Sequence, residues 1–380
     1  MQDVRNHKKP LFPIFVFITA VLLCGFCLSK GNVEAESVQG TFFHFLNLFD
    51  IPSQRTVTTM IVADDSLNIK IDTVDEGNVI FYSSQGYYRY GPSIIEYEDG
   101  SYDAWFSAPG NNSTQWDWIT YRHSDDGVTW SKEKTVLKPT EGSKDQCSVC
   151  DPGVIYFDGY YYMGYTSTAD YSRKGFNNSA FVARSRKPEG PYEKWNGSGW
   201  GGKPQPIITY EGDPRGWGIG EVSFVVLEDD IYIYYTYFDT NGGYTALAKA
   251  EVCENWPETI VEEGLVLGHT TEDSLDVFFA DDYKMFMAFS IENRMSEGSK
   301  MAVYVSANGR EFERYDSTKD FIEDYAHNMG IAKDRQGHQR TDKEILAGYA
   351  YGRRWGRWNT KFLNISISNP VTYSIREIDE

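Results

Sequence analysis

The stretch Asp151-Pro-Gly-Val-Ile-Tyr-Phe-Asp-Gly-Tyr-Tyr-Tyr-Met-Gly-Tyr165 decides the reading of this chain. It is a short apolar run, a tight turn at Asp158-Gly159 and an aromatic run, which together spell a β-hairpin. The pattern recurs at intervals of about 60 residues. An earlier copy is Gly91-Pro-Ser-Ile-Ile-Glu-Tyr-Glu-Asp-Gly-Ser-Tyr-Asp-Ala-Trp-Phe106. A later one is Glu221-Val-Ser-Phe-Val-Val-Leu-Glu-Asp-Asp-Ile-Tyr-Ile-Tyr-Tyr235. Two more run from Ser274 to Phe289 and from about Asn328 to Tyr349.

Self-similarity of β type at a fixed period means stacked or radial repeats. Units long enough for four strands close into a propeller, which leaves only short, protected sheet edges. The expected fold is therefore all-β, a five-bladed β-propeller with four-stranded blades. The third strands are legible as 118–122, 180–185, 245–250, 301–306 and 359–365. Turns followed by an aromatic, as in Ser124-Asp-Asp-Gly-Val-Thr-Trp130 and Ser306-Ala-Asn-Gly-Arg-Glu-Phe312, read as turn chemistry plus a plug between blades. The propeller is assigned to 78–380, with a ring-closing linker over 36–77 and a signal peptide or membrane anchor over 1–35.

The chain has 380 residues, enough for one large domain with a substantial core. Aromatics make up 16% of it, including 27 Tyr, which suits strands. A net charge of −19 argues against nucleic acid or an anionic bilayer as partner of the bulk surface. A monomer acting on an oligo- or polysaccharide is expected, with membrane contact only through the N-terminal segment.

That segment places Arg5, Lys8 and Lys9 before an apolar run from Leu11 to Leu28. It reads as a cleaved secretory signal or a signal anchor, so the protein is expected to be secreted or anchored at the cell surface. In an exported protein, Cys147 and Cys150 suggest a local disulfide. They are too few for a zinc site, which takes four ligands.

A propeller gathers the starts of its inner strands and its second-to-third-strand loops at one end. Here those loops are rich in aromatic and hydrogen-bonding residues: Trp116, Asp117, Trp118, Glu292, Arg294, Trp355 and Trp358 among them. Rings that stack on C–H faces beside carboxylates and guanidinium groups are what a sugar site needs. Arg294, Arg353, Arg354 and Arg357 leave room for an acidic sugar, although salt bridges to neighbouring loops would also account for them.

At Cys150-Asp-Pro-Gly-Val-Ile-Tyr-Phe-Asp-Gly-Tyr-Tyr-Tyr162, and more loosely at Arg184-Ser-Arg-Lys-Pro-Glu-Gly-Pro-Tyr192, the sequence resembles the five-bladed propeller glycosidases of glycoside hydrolase family 43, the arabinanase, arabinofuranosidase and β-xylosidase group. The resemblance implies hydrolysis by three carboxylates: a base Asp on the first blade, a tuning Asp on the second and an acid Glu on the third. Asp151 matches the second, and Glu221 falls at the third, within Glu221-Val-Ser rather than the family's Glu-Gly-Pro. The first is missing, because Gly91-Pro-Ser stands where the family has Asp-Pro-Ser. Asp276 or Asp117 is a candidate substitute, with Glu292 a further one, and Arg89 and Tyr90 flank the gap as candidates to hold substrate. The resemblance also gives His327 a role in holding a central water or a structural calcium ion, with no cofactor required. Hydrolysis of arabinose- or xylose-type glycans is thus the leading expectation. A carbohydrate-binding propeller without catalysis, or a glycosidase or lyase on acidic sugars, is the alternative.

Overall fold

A computed structural model describes residues 58–63, 70–73, 78–81, 88–110, 114–172, 174–240, 242–269, 272, 274–315, 322–368 and 373–378. The segment 1–35, with its apolar run, lies outside them. No helix among the described residues is long and apolar enough to cross a membrane. The chain divides into two compact units, one of Met1–Leu67 with Pro370–Glu380 and one of Asn68–Asn369. In the first, β1 (Thr58–Ala63) pairs antiparallel with the last strand, β24 (Tyr373–Ile378).

The second unit is all-β, as expected. Its first four-stranded meander is β4 (Tyr90–Glu96), β5 (Tyr102–Pro109), β6 (Asp117–Ser124) and β7 (Lys134–Leu137). The second is β8 (Ser148–Phe157), β9 (Tyr160–Thr168), β10 (Ser179–Ser185) and β11 (Glu193–Lys194). The pair Asp117 and Ser148 links these two into one eight-stranded sheet. The third is β12 (Gly218–Leu227), β13 (Asp230–Asp239), β14 (Gly242–Glu251) and β15 (Val261–His269). The fourth is β16 (Asp276–Ala280), β17 (Met285–Glu292), β18 (Lys300–Ser306) and β19 (Glu313–Tyr315). The fifth joins β20 (Ala326–Ile331), β22 (Ile345–Arg354) and β23 (Arg357–Ser368) to two early strands, β2 (Lys70–Thr73) and β3 (Asn78–Phe81), which both pair with β23. The remaining strand, β21 (His338–Gln339), runs parallel to β16.

Each first strand packs against the next: β4 on β8, β8 on β12, β12 on β16, β16 on β20, and β20 back on β4. These strands are buried on both faces, which is why they read as unbroken apolar runs. Period-two alternation sends their side chains to different cores. Phe224 and Val226 join Phe157 and Tyr162 between the second and third meanders, while Val225 joins Val277 and Phe286 between the third and fourth. Aromatics between the third and fourth strands of three meanders plug the seams. Trp130 meets Phe362 at 5.1 Å, Trp256 meets Tyr162 at 5.9 Å, and Phe312 meets Tyr234 at 5.8 Å. The turn before each plug is local chemistry. Asp126 Oδ1 accepts from Val128 and Thr129 N–H, as Asn308 Oδ1 does from Arg310 and Glu311 N–H.

The loop from β20 to β22 crosses the ends of the other first strands. Its carbonyls at Lys333, Arg335, Gln336 and Gly337 accept N–H groups from Glu96, Tyr156, Val226 and Phe279, one from each of the other four meanders. One loop thus ties all five together.

The expected Cys147–Cys150 disulfide is absent: both are buried free thiols. The chain is extended as it enters β8, and three residues of strand span about 10 Å. A disulfide needs Cα atoms within about 7 Å.

Candidate active site

The first strands share a deformation at one end. β4, β8, β12 and β20 each shift register there, between Tyr90 and Ser93, Cys150 and Gly153, Gly220 and Ser223, and His327 and Met329. The bulged residues are Gly91 (φ +62°), Asp151 (φ +47°), Glu221 (φ +52°) and Asn328 (φ +45°). Side-chain-bearing residues rarely adopt this left-handed conformation, and they cluster at functional sites when they do. A bulge also re-aims its side chain, here out of the ladder. All four residues line one small cavity of about 40 Å³, together with Ser93, Ser223, Ser274 and Asp276.

Hydroxyls from neighbouring second strands hold the bulges. Asp151 N–H donates to Ser107 Oγ on β5 at 2.8 Å, and Glu221 N–H donates to Thr166 Oγ1 on β9 at 2.8 Å. The carboxylate of Glu221 accepts from Asn328 Nδ2 at 3.0 Å. Gly91 packs closely on Asp151: a Cβ there would stand 3.3 Å from Asp151 Oδ1, so a side chain at this position needs the Asp151 carboxylate to give by a few tenths of an ångström.

Asp276 also lines the cavity, but its carboxylate is engaged in the ring itself. It accepts from Ser223 Oγ (2.7 Å), Ile331 N–H (2.8 Å) and Lys333 Nζ (2.6 Å). The same register position is Ser93 in the first meander and Ser223 in the third. Ser93 Oγ accepts Val154 N–H at 3.0 Å and Ser223 Oγ accepts Val277 N–H at 2.9 Å. The geometry therefore gives Asp276 a joining role between meanders.

Tyr90 precedes Gly91 on β4. Burial, followed by the charges of Asp117 and Asp151, pushes its hydroxyl well above the usual phenol range. It stays a neutral donor facing two carboxylates. Asp117 is buried and accepts from Tyr88 Oη and from Ser148 Oγ at 2.7 Å. Burial, then Asp151 and Asp117, likewise pushes the Cys150 thiol up.

Aromatic rings continue outward from Tyr90. Trp358 meets it edge-on at 5.3 Å, and His327 lies against Trp358 at 4.7 Å. Trp355 stands edge-on to Trp358 at 5.0 Å and is 80% exposed. The ring neighbours of His327 are aromatic, and no group of three His, Cys, Asp or Glu among the described residues could hold a metal.

Other sequence candidates lie elsewhere or have scaffold partners. Arg89 is buried in a two-pronged pair with Glu133 at 2.8 and 2.9 Å. It alternates with Tyr90 along the chain and so faces away from the ring of acids. Trp118 lies under Lys138 Nζ at 4.2 Å and donates to Gln115. Trp116 is half-buried, its carbonyl accepting Gly110 N–H at 2.8 Å. Glu292 pairs with Arg314 and Lys300, while Arg294 is exposed. Asn328 is the residue that sequence reasoning missed. Its position matches Asp151 and Glu221 in the repeat.

Neither a protein-family model nor a curated protein matches the sequence. Solved structures do match. One is a family 117 glycoside hydrolase of the marine bacterium Zobellia galactanivorans, at 15% identity over 79% of this chain and 91% of that one, with a TM-score of 0.57. The catalytic domain of a GH62 α-L-arabinofuranosidase from Coprinopsis cinerea matches at 12% identity over 76% and 95%, with a TM-score of 0.55. An endo-arabinase from Bacteroides thetaiotaomicron matches at 15% identity over 77% and 98%, with a TM-score of 0.51. At such identities the likeness is one of fold. The chain thus has the fold of glycoside hydrolases, as the resemblance of its repeat implied.

Proposed function

We propose that the protein is an exported five-bladed β-propeller that hydrolyses glycosidic bonds, the five meanders being the blades. One observation carries the reading: successive inner strands bulge at equivalent positions and turn Asp151 and Glu221 toward one central cavity. Hydrolysis with inversion needs an acid to protonate the leaving oxygen and a base to activate water from the opposite side. Glu221, held by Asn328, is assigned the acid, and Asp151 the carboxylate beside the reacting sugar. Tyr90, a permanent donor next to Asp151, is assigned a substrate hydroxyl or the attacking water. Arabinose- or xylose-type linkages are the first substrates to try, because structures of this fold include an α-L-arabinofuranosidase and an endo-arabinase.

Gly91 favours a second reading, a propeller that binds glycans without cleaving them, since the resemblance puts the base at that position. The full-length protein should be assayed for both hydrolysis and binding on one panel of aryl glycosides and plant oligosaccharides. Turnover that disappears in Asp151→Asn and Glu221→Gln supports the hydrolase. Binding without turnover supports the second reading, and neither activity on any glycan rejects both.

A further inference from the structure

The hairpin between β22 and β23 ends in an unusual tip. Arg354 and Arg357 are directly paired across it, with Trp355 and Gly356 forming the turn. Directly opposed like charges on a sheet are destabilising. Arg353, next in line, lies over the ring of Tyr325 at 5.6 Å. Among the described residues neither the Arg353 nor the Arg354 side chain makes an ion pair or hydrogen bond, and both are exposed. Trp355, 80% exposed at the tip, stands edge-on to the buried Trp358, which in turn meets Tyr90, the chain neighbour of Gly91.

We propose that this tip is an outlying subsite for an anionic saccharide, resting on the carbohydrate reading of the cavity above. The indole of Trp355 offers a face to the C–H side of a sugar ring. The guanidinium groups of Arg354 and its neighbours take a carboxylate or a sulfate on that sugar or the next. Guanidinium matches either anion with two parallel N–H bonds. The acidic bulk of the surface repels polyanions in general, so the tip confers selectivity by position.

The test is a binding titration of the full-length protein with tetragalacturonate, its methyl ester, a sulfated galactan tetrasaccharide and its desulfated form. The charged member of at least one pair should bind roughly tenfold tighter than its neutral counterpart, as a charge-assisted hydrogen bond allows. That advantage should shrink with added salt and disappear in Arg354→Ala. Trp355→Ala should weaken the charged and neutral forms alike. A gain for the uronate alone or the sulfate alone identifies the anion. Equal binding of charged and neutral forms, or an advantage that survives in both Arg353→Ala and Arg354→Ala, overturns the subsite and leaves the carbohydrate reading standing. Binding of no member of this set or of the neutral panel overturns both.

Discussion

Gly91 faces Asp151: a Cβ on Gly91 would stand 3.3 Å from the Oδ1 of Asp151. Equivalent bulges elsewhere carry Asp, Glu and Asn at the same left-handed φ, so the backbone accepts a side chain here. Gly91→Asp should cost about 1–2 kcal/mol in left-handed strain, yet supply the carboxylate the reaction lacks. The expected result is a rise in kcat of about 10²–10⁴, the usual contribution of a positioned acid or base. Gly91→Asn, of the same size but unable to accept a proton, should give no such rise. Equal rates in the two variants would remove Gly91 from the account of catalysis.

Asp151→Asn and Glu221→Gln should each lower kcat by about 10²–10⁴ with little change in fold. Asn328→Ala should cost less, roughly tenfold, because it releases Glu221 from one hydrogen bond without removing it. Steady-state kinetics on the best substrate ranks the three. If Asn328→Ala proves as damaging as Glu221→Gln, then Asn328 itself touches substrate.

Lys333 and Asp276 form a buried pair at 2.6 Å, with side chains 3% and 15% exposed. The same ammonium reaches Ser223 Oγ and the carbonyl of Val277. Removing one partner of such a pair strands the other charge, so Lys333→Ala should cost about 3–5 kcal/mol in urea unfolding. Asp276→Asn keeps the shape and should also destabilise. A catalytic Asp276 would instead lose turnover at unchanged stability, and that result would reverse the role given to it.

His123 gives the stability a pH dependence. Burial opposes its charged form, but Asp103 at 2.8 Å, by hydrogen bond and charge, and then Asp125 outweigh it and raise the imidazole above its ordinary 6.5. A raised pKa means the folded state binds the proton more tightly. The contribution is therefore complete below about pH 6.5 and fades as pH rises through the folded value. Unfolding midpoints should fall over that window in the wild type, and the fall should flatten in His123→Gln. An unchanged slope in the variant would assign the dependence to another group.

Much of the fold is legible along the chain because its determinants are local. Hairpin turns and alternating aromatics recur along the repeats, and β4, β8 and β12 begin within three residues of the repeat starts. The site is legible in part for the same reason. Asp151 and Glu221 precede their turns by similar distances, so register alone puts both at one end. Arg89 stands beside the gap in the sequence, while its guanidinium pairs with Glu133, 44 residues away. Asp276 looked like a third site carboxylate because it opens an inner strand, but Lys333, 57 residues on, is brought against it by the loop across the ring.

The sequence by itself determined the strands, their pairing into repeated hairpins and the two acids at the starts of successive inner strands, since each rests on contacts between near neighbours. Only the tertiary structure decided which polar groups converge and which are used up as scaffold. Glu221 and Asn328 are 107 residues apart and meet only because inner strands pack side by side around one cavity. Such contacts depend on the order in which meanders pack, and no local pattern of residues carries that order.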